Sequence, residues 1–315
     1  MSYVDVHRSY KDVINILTEP YYSSHSYVSN TTVFLQKGVG IKKAYLRAVR
    51  EFYKSEVQEV DFGASGSGHA KEVVNSWVSD VSGGAYSEFL SSDPGGDTRL
   101  LLASYTRMIP QWLYPFDPLK TSYNGLFFLA GGERLQVAMM SGQLEIPVGY
   151  SEKLAARLLE LPLLNRRMSM FLILPDQVDP GVASLELNIN TTLVKELMGT
   201  LKTEVVNVRL PRFRIEETSD LVDTISQLGV VQALNPALAD LENMVDFNIL
   251  HLSSFSHRAE IEIEEWGVHG KGETSKVGIL RQRFFEVDHP FLYFIWDYFT
   301  GTILLIGRVE RPIVL

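Results

Sequence analysis

Residues 281–312 read RQRFFEVDHPFLYFIWDYFTGTILLIGRVERP. Two apolar runs, FLYFIWD (291–297) and TILLIGRV (302–309), flank Tyr298-Phe299-Thr300-Gly301, a short connection closed by glycine, and so predict a β-hairpin. Each run is apolar almost continuously rather than at alternate positions, which predicts burial on both faces of both strands. The stretch is far shorter than the roughly 20 residues of a membrane-crossing helix and contains Asp297, so it reads as core.

Upstream, further runs of strand length recur: TRLLLASYT (98–106), LQVAMM (135–140), MSMFLILP (168–175), VVNVRLPRFRI (205–215) and AEIEIE (259–264). In the last, Ala259, Ile261 and Ile263 alternate with Glu260, Glu262 and Glu264, predicting one buried and one solvated face without any need for a metal. Helical spacing appears nearer the start. IKKAYLRAVREFYKSEV (41–57) puts Ile41, Tyr45, Ala48, Val49 and Phe52 on one stripe, and KEVVNSWVSDV (71–81) does the same with Val73, Val74, Trp77, Val78 and Val81. Helices clustered early and many strands later imply an α+β architecture.

Between AEIEIE and the hairpin lies EEWGVHGKGETSKVG (264–278), whose glycines around a lysine could cradle a phosphate. That pattern requires Ser or Thr directly after the lysine and then a helix whose N-terminus receives the phosphate. Gly272 follows Lys271 here and the next stretch is β-rich, so the nucleotide reading fails.

Composition narrows the rest. A net charge of −9 with no long basic run disfavours nucleic acid, and the absence of cysteine removes disulfides, thiolate metal sites and cysteine nucleophiles. No HExxH, GxSxG or strand-to-helix GxGxxG occurs and the 7 histidines are scattered, so neither an enzyme nor a cofactor or metal site is indicated. Lys42, Lys43, Arg47 and Arg50 give the first helix a basic face, more simply a solvated face than a polyanion site. Met1–Val13 shows no signal peptide, and two sequons, at Asn30 and Asn190, are weak evidence of export.

The segment 281–312 resembles the C-terminal signature of serpins, with its DHPF segment, buried hairpin and GRV-x-x-P ending. LLELP (158–162), SMFLILPD (169–176), VRLPRFRIEETSDLVDTISQLGV (208–230) and ALADLENM (237–244) resemble serpin segments in serpin order. The resemblance implies a single α+β domain over 1–315 with three β-sheets, surrounding helices and an exposed reactive-centre loop at about 267–289. It implies that the chain starts beyond the family's first helices and lacks that N-terminal segment and one central strand. Inhibitory members offer the loop as bait to a protease and, once cut, insert it as a strand into the largest sheet, trapping the acylated enzyme.

Carried onto this sequence, the resemblance makes Gly267, Val268, Gly270, Gly272 and Thr274 the hinge and Arg281–Gln282 the scissile bond, with Arg283 the nearest competitor. An inserted strand turns alternate residues to the core. Val268, Gly270, Gly272 and Thr274 face inward and His269, Lys271, Glu273 and Ser275 outward, while Lys276 suits a core poorly. His257 stands at the family's shutter histidine, Ser104 where an asparagine is usual, and Trp112 at the breach tryptophan; His257 and Ser104 read as a hydrogen-bonded pair.

Two functions stand at this level. One is an inhibitor of a trypsin-like serine protease or a papain-like cysteine protease, a secreted monomer whose partner is that protease, without nucleic-acid or membrane contact. The other is a non-inhibitory serpin, a substrate, carrier or binding module, favoured by a slightly short loop and the altered shutter.

Overall fold

The computed structural model describes residues 3–17, 26–63, 68–164, 166–246, 250–266 and 283–312. The first elements are α1 (Tyr3–Leu17), β1 (Ser26–Gln36), α2 (Lys43–Tyr53), β2 (Glu56–Val60), α3 (His69–Val81) and β3 (Leu100–Ile109). A 3-10 turn (Pro118–Lys120) precedes β4 (Ser122–Phe128), β5 (Arg134–Ser151), β6 (Ala156–Pro162), β7 (Met168–Pro175), α4 (Gly181–Asn188) and α5 (Thr191–Met198). The chain continues through β8 (Lys202–Pro211), β9 (Phe213–Asp220), α6 (Val222–Gln227), β10 (Ser254–Ile263), β11 (Arg283–Glu286), β12 (Phe291–Asp297) and β13 (Thr302–Val309).

These strands make three sheets. One has the order β2-β1-β3-β10-β9. The other two share β5, which is long enough to serve both. Its residues Met139–Val148 pair with β8, itself flanked by β11, while β4 lines the opposite edge. Its last residues, Val148–Ser151, pair with β6, and β7, β12 and β13 follow in turn. The fold is α+β, as the sequence implied.

Contacts group the chain into two compact units, Met1–Met108 with Glu216–Glu260, and Ile109–Ile215 with Ile261–Leu315. In the first, Val74, Trp77 and Val78 of α3 pack on Phe34, Leu101, Ala103 and Tyr105 of the sheet. The helical spacing of those residues puts them on one stripe, and each such buried side chain contributes about 1.5–3 kcal/mol. Trp77 meets Phe34 and Phe89 edge-on at 5.9 and 5.8 Å, so it is packing, as its place on the stripe suggested. On α2, Tyr45 joins a second cluster with Val33, Leu35 and Leu100.

In the second unit the hairpin forms as its sequence predicts, with Gly301 at φ +66 in the turn, a conformation that costs glycine little. Phe294 stacks on Phe171 at 4.8 Å. Two-sided burial holds for β12 and not for β13. Among the described residues β13 ends its sheet and pairs only with β12, and Ile303 and Ile306 are exposed.

AEIEIE needs a second correction. Ile261 and Ile263 are buried, but so is Glu260, at 1% exposure. Two-residue periodicity assigns a face and says nothing of what covers it; here Arg107 and Tyr105 of β3 do. The sequence reading also did not anticipate α1, β1 or β2. The alternation in SYVSNTTVFLQ is broken by Asn30-Thr31-Thr32, and EVQEV is too short and charged to stand out.

Candidate functional site

The segment between β10 and β11 contains most of the predicted site. Gly267, Val268, Gly270, Gly272, Thr274, Arg281 and Gln282 lie outside the described residues. What is described is how the chain enters and leaves that segment.

Entry is held by three side chains and one backbone amide, from four places in the sequence. Trp112, 2% exposed, donates from its indole nitrogen to the Glu264 carbonyl oxygen at 2.7 Å. The Phe116 amide donates to the Glu265 carbonyl oxygen at 3.0 Å. Glu265 is 4% exposed, and its carboxylate accepts from the Thr121 hydroxyl at 2.7 Å. Arg212, between β8 and β9, places its guanidinium 3.0 Å from Glu264 Oε1 and 3.5 Å from Glu265 Oε2. Its own amide donates to Ala138 O at 2.8 Å, which fixes the base of that side chain. A carboxylate this far from water is tolerated only with such partners.

Exit is a strand. Arg283–Glu286 pairs parallel with β8, Arg283 opposite Val206 and Glu286 opposite Arg209. Arg283 is ion-paired with Glu204, and Glu286 with Arg209. Pleating separates the two phenylalanines: Phe285 is buried under the Arg157 guanidinium, 5.1 Å away, while Phe284 is 59% exposed. Beyond it, His289 is buried with Nε2 2.7 Å from Pro175 O and Nδ1 2.7 Å from Asp288 Oδ1. Arg283 is thus engaged in a sheet, unlike a residue of an unpaired bait.

The shutter residues fall on neighbouring strands, Ser104 on β3 and His257 on β10, and the pair expected between them does not form. Ser104 accepts from the Thr31 hydroxyl of β1 at 3.3 Å. His257 has no hydrogen bond among the described residues, and burial pushes its pKa below the usual histidine value. The serine side chain is one atom group shorter than the usual asparagine and is taken by the opposite neighbour.

Of the basic face, Lys43, Arg47 and Arg50 are exposed, whereas the Lys42 ammonium donates to the Glu242 carbonyl oxygen at 2.6 Å and is only partly exposed. Arg212, Thr121 and Glu265 were missed by sequence reasoning. Their partners lie 52 or more positions away, and the adjacent Glu264-Glu265 reads as a solvated pair.

A scan against protein-family models matches residues 2–312 to "Serpin (serine protease inhibitor)". The chain is 31% identical over 322 residues to human plasminogen activator inhibitor 2, an alignment covering 97% of this chain and 74% of that protein. Among solved structures, uncleaved ovalbumin matches with a TM-score of 0.86 and 27% identity over 99% of this chain and 80% of that one. Human thyroxine-binding globulin complexed with thyroxine matches in fold, with a TM-score of 0.88 and 24% identity over 98% and 81%.

With a fold of three sheets and a long connection anchored at both ends, the chain belongs to the serpin family. Serpins are protease inhibitors and not themselves enzymes, and relatives such as plasminogen activator inhibitor 2 carry that role in their names.

Proposed function

We propose that this serpin presents residues 267–282 as bait, with Arg281–Gln282 as the bond attacked, to a trypsin-like serine protease or a papain-like cysteine protease. One observation carries the reading: the segment is held at both ends, at Glu264–Glu265 by Trp112, Phe116, Thr121 and Arg212, and at Arg283–Glu286 by pairing with β8. Cutting a segment so anchored releases a new end while its entry stays fixed. The released part can then continue antiparallel to β10 between β3 and β10, the strands that bear Ser104 and His257. Its inward residues Val268, Gly270, Gly272 and Thr274 are small enough for a core-facing strand. An arginine before the bond suits the acidic pocket of a trypsin-like enzyme.

A non-inhibitory role as a substrate, carrier or binding module is favoured by a different observation, the unmade Ser104–His257 bond together with Lys276 on the inward set. Mixing the protein with trypsin-like and papain-like proteases separates the two. The bait reading expects a complex that survives SDS, a cut after Arg281 by mass, and a raised melting temperature after cleavage. Clean cleavage without complex or added stability sinks it. A weak polyanion contact belongs to the same proposal, now limited to Lys43, Arg47 and Arg50; salt-sensitive retention on a sulfated-polysaccharide column that is lost in the triple alanine variant would support it.

A further inference from the structure

α6 ends where Gly229 takes φ +96, a conformation open to glycine; the Gly229 amide donates to Ser226 O and the Val230 amide to Ile225 O, both at 2.9 Å. The chain leaving that turn carries more aliphatic side chains than its core accepts. Ile225, Leu234 and Leu241 pack on Met244, Val245 and Leu250. Leu228, Val230, Val231 and Leu238 lie outside that cluster and are exposed, Leu228 most of all at 78%. A second turn repeats the division: Asn235 O accepts from the Leu238 and Ala239 amides, Ala239 is buried, and Leu238 is left in water. Val230, Val231, Ala233 and Leu241 line a hollow of about 560 Å³, with Asp240 beside them. Single exposed aliphatics are ordinary on a surface, whereas several gathered around a hollow mark a contact site.

The segment that builds the hollow carries charge of one sign. No lysine or arginine occurs from Glu216 to His257, and Asp223, Asp240 and Glu242 are exposed. The Asp240 carboxylate accepts from the Glu242 amide at 3.3 Å. Lys42, which reaches this segment, donates to the Glu242 carbonyl oxygen at 2.6 Å. An apolar hollow in an acidic field selects aliphatic side chains accompanied by cations, and repels nucleic acid, anionic lipid and acidic peptide. It also repels itself: two copies placed patch to patch about a two-fold axis would set carboxylates against carboxylates.

We infer that the surface formed by Leu228, Val230, Val231 and Leu238 docks a partner segment that presents aliphatic side chains on one face, flanked by Lys or Arg, as a basic amphipathic helix does. The aliphatic groups cover the exposed side chains and fill the hollow, and the cations face Asp223, Asp240 and Glu242. The surface lies wholly in the first compact unit and shares no residue with the entry at Glu264–Glu265 or the exit at β11, so it stands or falls apart from the bait reading.

The test titrates the intact protein into a fluorescent synthetic helix with leucines on one face and lysines on the other, and follows binding by anisotropy. Two further peptides replace every lysine by glutamate or every leucine by serine. The leucine-lysine peptide should bind at least about 10-fold more tightly than either. Its affinity should fall at least about 10-fold in the Leu228→Ser/Val231→Ser protein and about 3-fold in Asp240→Asn/Glu242→Gln. Both variants alter exposed side chains, so their melting temperatures should match wild type. Absence of binding, equal binding of all three peptides, or affinity unchanged in both variants overturns the inference. Dimerisation of the wild-type protein in sedimentation, abolished by Leu228→Ser/Val231→Ser, would assign the patch to a second copy and overturn it too.

Discussion

The indole Nε1 of Trp112 donates to the backbone carbonyl of Glu264 at 2.7 Å, so a side chain in the loop after β3 pins the chain three positions before residue 267. Trp112→Phe removes the donor and retains most of the ring that packs edge-on against Phe116 at 6.3 Å. A carbonyl left without its partner in a partly buried setting costs about 1 kcal/mol, the lower end of the range for a lost hydrogen bond. The urea midpoint should fall by that amount with an unchanged denaturant slope; a midpoint equal to wild type would show that the bond contributes nothing.

Glu265 and Arg212 form the second pin, and their effects should not add. Glu265→Gln loses the charge that faces Arg212 but keeps a group able to accept from Thr121, so a loss of about 1 kcal/mol is expected. Arg212→Met also releases Glu264, and should cost about 1–3 kcal/mol. In the double variant the coupling should reach about 0.5–1 kcal/mol, read from the four denaturation midpoints. Strict additivity would mean that the two side chains act independently.

How much of this was legible beforehand depends on the range of the interaction. The hairpin at 291–309 and the helix stripes at 41–52 and 73–81 follow from neighbours in sequence, and their periodicity survives into the fold. Glu260 shows the limit. Alternation assigned it to the same face as Glu262 and Glu264, but its burial is decided by Arg107 and Tyr105 on another strand, 153 and 155 positions earlier. The same holds at the site. Trp112 was marked by its resemblance to a serpin position, whereas Thr121 reaches Glu265 across 144 positions and leaves no local trace. Ile303 and Ile306 misled for the converse reason: an apolar run predicts a covered strand, and nothing in it says that β13 closes the sheet order.

His257 gives a prediction in pH. Burial lowers its pKa in the folded protein, so below the unfolded value of about 6.5 the unfolded chain takes up a proton that the folded chain refuses. Stability is then highest above that value and falls as pH drops toward the folded pKa, by at most about 1.4 kcal/mol per pH unit for this one proton. His257→Gln should flatten this part of the profile, so the loss in melting temperature from pH 7.5 to 5.5 becomes smaller than in wild type. Parallel profiles for the two proteins would remove His257 as the cause.

Arg281 separates bait from scaffold. It lies two residues before β11, whose pairing with β8, ion pairs to Glu204 and Arg209, and buried Phe285 do not depend on which side chain stands at 281. Arg281→Ala should therefore leave the melting temperature of the uncut protein unchanged within the usual range of a surface substitution, about 0.5 kcal/mol. A trypsin-like protease should meanwhile lose at least about 100-fold in its rate of association, because its acidic pocket receives no cation. Any residual cleavage should move to Arg283–Phe284, where the strand must first be peeled from β8, and should give cut protein without a trapped complex. Undiminished complex formation by Arg281→Ala would place the scissile bond elsewhere, and mass analysis of the released fragment would identify it.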